Sequence, residues 1–164
     1  SDVCSSDLED KAWTYGANTS FSGNKYAGDF SFSAGIKAEA TDSALVELFK
    51  ELNGFVTGGI TESELAFMKS AIGQRDALRY ETPLQKVGFI GRILEYGLPA
   101  NFVDQQNQIL KNLTAEEINT LARKWLVTDK MNILLVGDKA KILPGLQKLG
   151  YEIVELDTDG NLKK

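Results

Sequence analysis

Histidine is absent from the sequence and cysteine occurs once, so the side chains that most often hold zinc or activate a nucleophile are missing. Neither a structural zinc site nor a Ser-His or Cys-His pair can be assembled from this chain. The remaining candidates for chemistry are carboxylates, arginines and one tyrosine. Glu62, Glu64, Glu116 and Glu117 fall in Thr61-Glu62-Ser63-Glu64 and Thr114-Ala115-Glu116-Glu117, two capping boxes in which the carboxylate closes a helix start and is not free for acid or base work. Arg75, Arg79 and Arg92 read as solvating helix faces, with the lining of a chamber as the alternative. Gly16, Gly23 and Gly28 are too scattered for a phosphate-binding loop, and turn duty explains them. Asn18-Thr19-Ser20 and Asn112-Leu113-Thr114 match the glycosylation pattern, but one falls in a strand and the other at a helix cap. Tyr15 is the residue whose chemistry is worth pursuing. A phenolic hydroxyl can donate to a growing negative charge while the ring packs against protein. By pattern alone, however, Trp13, Tyr15 and Phe21 share one side of an alternating strand and read as a core face.

The elements that would position these residues follow from hydrophobic period. Odd positions Trp13 to Phe21 and even positions Phe30 to Ala38 alternate, which predicts two strands of an antiparallel hairpin joined by a long loop over 22–29. Leu45, Leu48, Phe49, Leu52, Phe55 and Val56 follow helical spacing, with Thr41 or Asp42 as N-cap and Gly58-Gly59 as the stop. Thr61 opens a second helix reaching about Arg79, with Leu65, Met68 and Ile72 on its face. Thr82-Pro83 opens a third, with Val87, Ile90 and Leu94 as its stripe. Helices over 101–110 and from Thr114 through Leu126 come next. Met131 to Val136 is a continuous apolar run expected to be a strand buried on both faces, followed by a short helix and a last strand, Tyr151 to Leu156. The predicted class is α+β, a two-layer sandwich of a mostly antiparallel sheet with helices on one face.

Composition narrows the partners. The 164 residues are 43% hydrophobic, enough for one domain with a core, and no stretch has the ~20 apolar residues needed to span a bilayer. A net charge of −5 and the lack of a basic stripe with interleaved aromatics argue against nucleic acid as a partner.

The stretch Glu9-Asp10-Lys11-Ala12-Trp13-Thr14-Tyr15-Gly16-Ala17, followed by Ser20-Phe21-Ser22, resembles a signature of the insulinase or pitrilysin-like metallopeptidases, peptidase M16. Thr61-Glu62-Ser63-Glu64-Leu65 with Lys69, Asn112 to Ile118 with Ala122 and Trp125, and Leu134-Leu135-Val136-Gly137 continue the resemblance in the right order. It implies a C-terminal domain of such an enzyme, one of several that pair into a clamshell around a chamber. The family's zinc and general-base motif, His-x-x-Glu-His, belongs to its first domain and has no counterpart here. Zinc is therefore expected in a partner domain or subunit, and no cofactor in this chain. The family's later domain supplies an arginine and a tyrosine that engage the substrate carbonyl and developing oxyanion. Tyr15 matches the tyrosine, and Leu8 stands where the arginine would be. The resemblance further implies peptide substrates and favours a periplasmic or secreted bacterial protein. A catalytically dead assembly subunit of the same family is the chief alternative, and an unrelated α+β binding module a third.

Residues Ser1 to Leu8 have no period and correspond to the translated end of a common sequencing-library adaptor, so they are read as foreign. The domain is then expected over 9–156, with a polar tail over 157–164. A natural gene encoding Ser1 to Leu8 contiguously with Glu9 would refute that reading.

Overall fold

A computed structural model describes residues 13–78 and 81–163. The fold is α+β, with one two-stranded antiparallel sheet and six α-helices among the described residues. The described residues divide into two compact units, one built from residues 13–22, 29–53 and 128–163 and the other from 23–28, 54–78 and 81–127.

A hairpin is formed by β1 (Thr14–Gly23) and β2 (Gly28–Ile36), and its paired residues up to Ser22 and from Asp29 belong to the first unit. Its register is fixed by side chains meeting across the strands: Ser20 and Ser31 share a hydrogen bond of 2.9 Å, the Ser22 hydroxyl donates to Asp29, and the rings of Phe21 and Phe30 lie 4.9 Å apart. Those pairs carry the ladder further than the sequence indicates. The loop over 22–29 shrinks to the turn Asn24–Ala27, where the Asn24 carboxamide oxygen accepts from the amides of Tyr26 and Ala27 at 2.9 and 3.0 Å. Along β2 the expected alternation holds, with Phe30, Phe32, Ala34 and Ile36 half-buried between exposed neighbours.

A short 3₁₀ turn, Ala38–Ala40, leads into α1 (Thr41–Gly58). Ala44, Leu45, Leu48 and Leu52 of α1 are buried, as their helical spacing requires, together with Ala40, Thr41 and Thr14. Neither N-cap candidate closes the start in the usual way. The Thr41 hydroxyl instead donates back to the Ala38 carbonyl at 3.1 Å, and the Asp42 carboxylate takes the next amide, that of Ser43, at 2.8 Å.

In the second unit, α2 (Glu62–Leu78), α3 (Pro83–Tyr96), α4 (Phe102–Asn112) and α5 (Ala115–Trp125) match the expected helices. Leu65, Ala115, Ala122 and Leu126 are buried. The stripe of α3 behaves otherwise: Val87, Ile90 and Leu94 are all exposed, as is Leu84, and no residue of that helix is buried.

The end of the chain, back in the first unit, departs most from expectation. Between the 3₁₀ turn Thr128–Lys130 and α6 (Lys139–Leu146), Met131 to Val136 forms no strand, and Tyr151 to Leu156 contributes only an isolated antiparallel bridge between Leu156 and Leu162. A run apolar on both faces becomes a strand only when neighbouring strands supply hydrogen bonds and covering layers bury its sides. The described residues offer Met131 to Val136 neither. The polar tail after Leu156 folds back on itself. The Asp157 carboxylate accepts from the amides of Asp159 and Asn161 at 2.9 and 2.8 Å, and the Lys163 amide reaches the Glu155 carbonyl at 3.0 Å.

Candidate functional site

The strand that carries Tyr15 is held at both sides of that position. The Lys37 amide donates to the Trp13 carbonyl at 2.9 Å and so pins the start of β1 to the exit of β2. The buried Thr14 closes a local loop, donating its hydroxyl to the Gly16 carbonyl at 2.9 Å and accepting from the Gly16 amide at 3.1 Å. The register set by Ser20 with Ser31 and by Ser22 with Asp29 places position 15 opposite Ile36. The backbone at Tyr15 is thus fixed within a paired strand, while its side chain lies outside the described residues. Leu8, the adaptor-like segment and Arg79 lie outside them as well, as does the side chain of Arg75. Arg92 is described and exposed on α3.

Ion pairs tie the rest of this unit together. Lys141 on α6 approaches Glu39 at 3.4 Å, and Lys139 meets Glu155 at 2.5 Å. Close packing brings the Asp42 carboxylate against the backbone of Gly145, where an added Cβ would lie 2.6 Å from its oxygen. These contacts fasten α6 to the start of α1, and they leave the carboxylates engaged with lysines or backbone. The Glu155 carboxyl is held below its ordinary value of 4.5, first by the hydrogen bond from Lys139.

The glutamates that the sequence assigns to capping do cap. Thr61 and Glu64 exchange bonds at the start of α2, amide to carboxylate at 2.8 Å and amide to hydroxyl at 3.2 Å. Thr114 and Glu117 repeat the arrangement on α5 at the same two distances. A third box, Thr82 with Gln85 on α3, was legible in the sequence as Thr-x-x-Gln and was read there only as a proline start. The carboxyl of Glu64 is held low by the Thr61 hydroxyl and then its amide. That of Glu117 is held low by the Thr114 amide and then its hydroxyl. Both are anions near neutrality and cannot serve as general acids. A shallow groove at this helix start, lined by Leu113, Thr114, Glu116, Glu117, Thr120 and Leu121, therefore presents one carboxylate already committed to the backbone.

This geometry fixes a pH dependence. A carboxyl depressed in the folded chain stabilises the fold fully above its ordinary value of 4.5, and that stabilisation is lost as pH falls through the lower folded value. Helix content followed by circular dichroism should therefore decline on acidification below 4.5, and Thr114→Ala should remove part of that decline. The same substitution should cost about 1 kcal/mol at neutral pH, read from denaturant unfolding. An unchanged midpoint would mean that α5 does not depend on its cap.

Among the described residues no group of three or more His, Cys, Asp or Glu side chains is placed to hold a metal ion. With no histidine in the chain either, the residues present do not fit a zinc site.

Residues 3–72 match the family described as the peptidase M16 inactive domain. That match covers less than half of the 164 residues. Two solved structures share its fold. One is the peptidase M16 inactive domain from Pseudomonas fluorescens, 23% identical with a TM-score of 0.69, over 77% of this chain and 30% of that one. The other is the periplasmic protease PqqL from Escherichia coli, 20% identical with a TM-score of 0.61, over 76% of this chain and 14% of that one. The chain thus spans less than a third of either. No curated protein matches it. The matched M16 domain is an inactive one, and the zinc site of the family lies in its other domain. The strand bearing Tyr15 falls inside the matched segment, and so do α1 and the start of α2. No helix among the described residues is long and apolar enough to cross a membrane.

Proposed function

We propose that this chain is the metal-free, substrate-binding part of an M16 zinc endopeptidase, and that it presents Tyr15 to the substrate carbonyl oxygen. The observation that carries this reading is the location of Tyr15 in a strand whose backbone is pinned on both sides, within the segment that matches the family. A hydrogen-bond donor on a rigid strand helps catalysis because it need not reorganise as negative charge develops. Cleavage itself belongs to a partner domain or subunit bearing His-x-x-Glu-His, and peptides are the substrate class. The likeness to a periplasmic protease supports an exported protein.

Two measurements test the reading. Alone, the chain should leave a fluorogenic peptide uncut, and mixing it with the metal-bearing partner should raise hydrolysis well above that of the partner alone. Equal rates with and without the chain would reject it. The genomic sequence preceding Glu9 should encode an arginine at the position of Leu8, and a natural leucine there would remove that half of the pair.

A second reading is a purely structural subunit, favoured by the description of the matched family as an inactive domain. The absence of a His-x-x-Glu-His motif from the same gene and its neighbours would favour it over the first.

A further inference from the structure

The two ends of the hairpin do not keep the same count. At the tip the Asn24 amide donates to the Ala27 carbonyl at 3.2 Å, the rings of Phe21 and Phe30 lie 4.9 Å apart, and Ser20 meets Ser31 at 2.9 Å. At the base the Lys37 amide donates to the Trp13 carbonyl at 2.9 Å. The chain advances six positions from Ser31 to Lys37, but seven from Trp13 to Ser20, so β1 carries one residue more than the strand it pairs with. With both ends held, the surplus cannot be relieved by a slip of register. It forms a β-bulge, which bends the strand and re-aims the side chains on it.

Thr14 marks where the bulge lies. Its side chain is 6% exposed, and a hydroxyl buried to that extent needs partners. It finds them in the amide and the carbonyl of Gly16, at 3.1 and 2.9 Å. Counted in twos from the Asn24–Ala27 pair, Gly16 is a position whose amide and carbonyl a regular ladder would aim at β2. One side chain that takes both interrupts the ladder there, and Thr14 and Tyr15 together face the single residue Ile36. We propose, on the reading of Tyr15 as the donor to the substrate carbonyl oxygen, that Thr14 is its positioning residue. The Thr14 hydroxyl holds the bulge and so sets the direction in which Tyr15 leaves the strand. Thr14 acts through Tyr15 and takes no part in the chemistry itself.

The test compares Thr14→Val, which keeps the branched shape and deletes the hydroxyl, with Thr14→Ser, which keeps the hydroxyl. In the assembled peptidase Thr14→Val should lower kcat by about tenfold with KM little changed, whereas Thr14→Ser should stay within about twofold of the unsubstituted enzyme. In a Tyr15→Phe background Thr14→Val should lower kcat by no more than about twofold further, because the donor that it positions is already gone. In the 164-residue chain the Gly16 amide should exchange about tenfold faster in Thr14→Val and at the unsubstituted rate in Thr14→Ser, with helical circular dichroism the same in all three. The positioning role is overturned if the Gly16 amide does not respond, if kcat falls equally with and without the Tyr15 hydroxyl, or if Thr14→Val keeps full turnover where Tyr15→Phe does not. Loss of the helical signal in Thr14→Val would make Thr14 a residue of the fold alone and would overturn it as well. Full turnover in Tyr15→Phe would instead remove the reading of Tyr15, and the role of Thr14 with it.

Discussion

Replacing Tyr15 by phenylalanine in the assembled peptidase should lower kcat by about 10²-fold and leave KM within a small factor of its starting value. The expectation follows from what the substitution removes. Phenylalanine keeps the ring, and with it whatever packing the strand needs on that face, but it deletes the only proton that the side chain can donate. A donor aimed at charge that develops during attack contributes little to binding the ground state and much to the transition state, so the loss belongs in kcat. A residue that served only to fill the core would give a different pattern. Tyr15→Phe would then leave turnover unchanged, and Tyr15→Ala would lower stability and every kinetic parameter together. Measuring unfolding of the isolated chain beside peptide hydrolysis by the assembly separates the two, because a donor lost from a chamber wall does not shift the unfolding midpoint. Turnover within twofold of the unsubstituted assembly would take Tyr15 out of the mechanism.

How much of this was legible in the sequence depended on whether the deciding forces were local. Helix starts were, because a capping box joins residues three apart. Thr61 with Glu64 and Thr114 with Glu117 form as their spacing requires. The alternation of Phe30, Phe32, Ala34 and Ile36 was legible too, since period two survives in any half-buried strand. The loop between the strands came out shorter than expected because Ser22 pairs with Asp29, a cross-strand contact between residues that look like turn formers in sequence. Periodicity could not show that the stripe of α3 stays exposed, or that Met131–Val136 forms no strand with the described residues. Hydrophobic pattern reports which surface wants cover, and it cannot report whether the same chain supplies it. For the candidate site, residue type and family resemblance pointed to Tyr15. The fold adds the pinned backbone around that position, which alternation alone does not reveal.

The second large effect is expected at Gly59, the residue after α1. Its φ of +75° is left-handed, and the Cβ of any other residue would fall against the carboxamide of Asn119. That carboxamide cannot simply swing aside. Its Oδ1 accepts the amide of Ile60 at 2.8 Å, a contact between residues 59 apart in sequence that holds the α1–α2 connection to α5. Gly59→Ala should therefore carry two penalties, about 1–2 kcal/mol for the left-handed backbone and about 1 kcal/mol for the displaced hydrogen bond. Together these lower stability by about 2–3 kcal/mol, a large share of what a domain of this size has. Asn119→Ala alone should cost only the hydrogen bond, and it also clears the space that the new methyl group needs. In the Asn119→Ala background, then, Gly59→Ala should cost only the backbone part, so the two losses sum to more than the double variant shows. Denaturant unfolding of the four proteins gives that coupling directly. Strict additivity would mean that Gly59 is required for its backbone angle alone, and that the close approach of Asn119 to it has no energetic consequence.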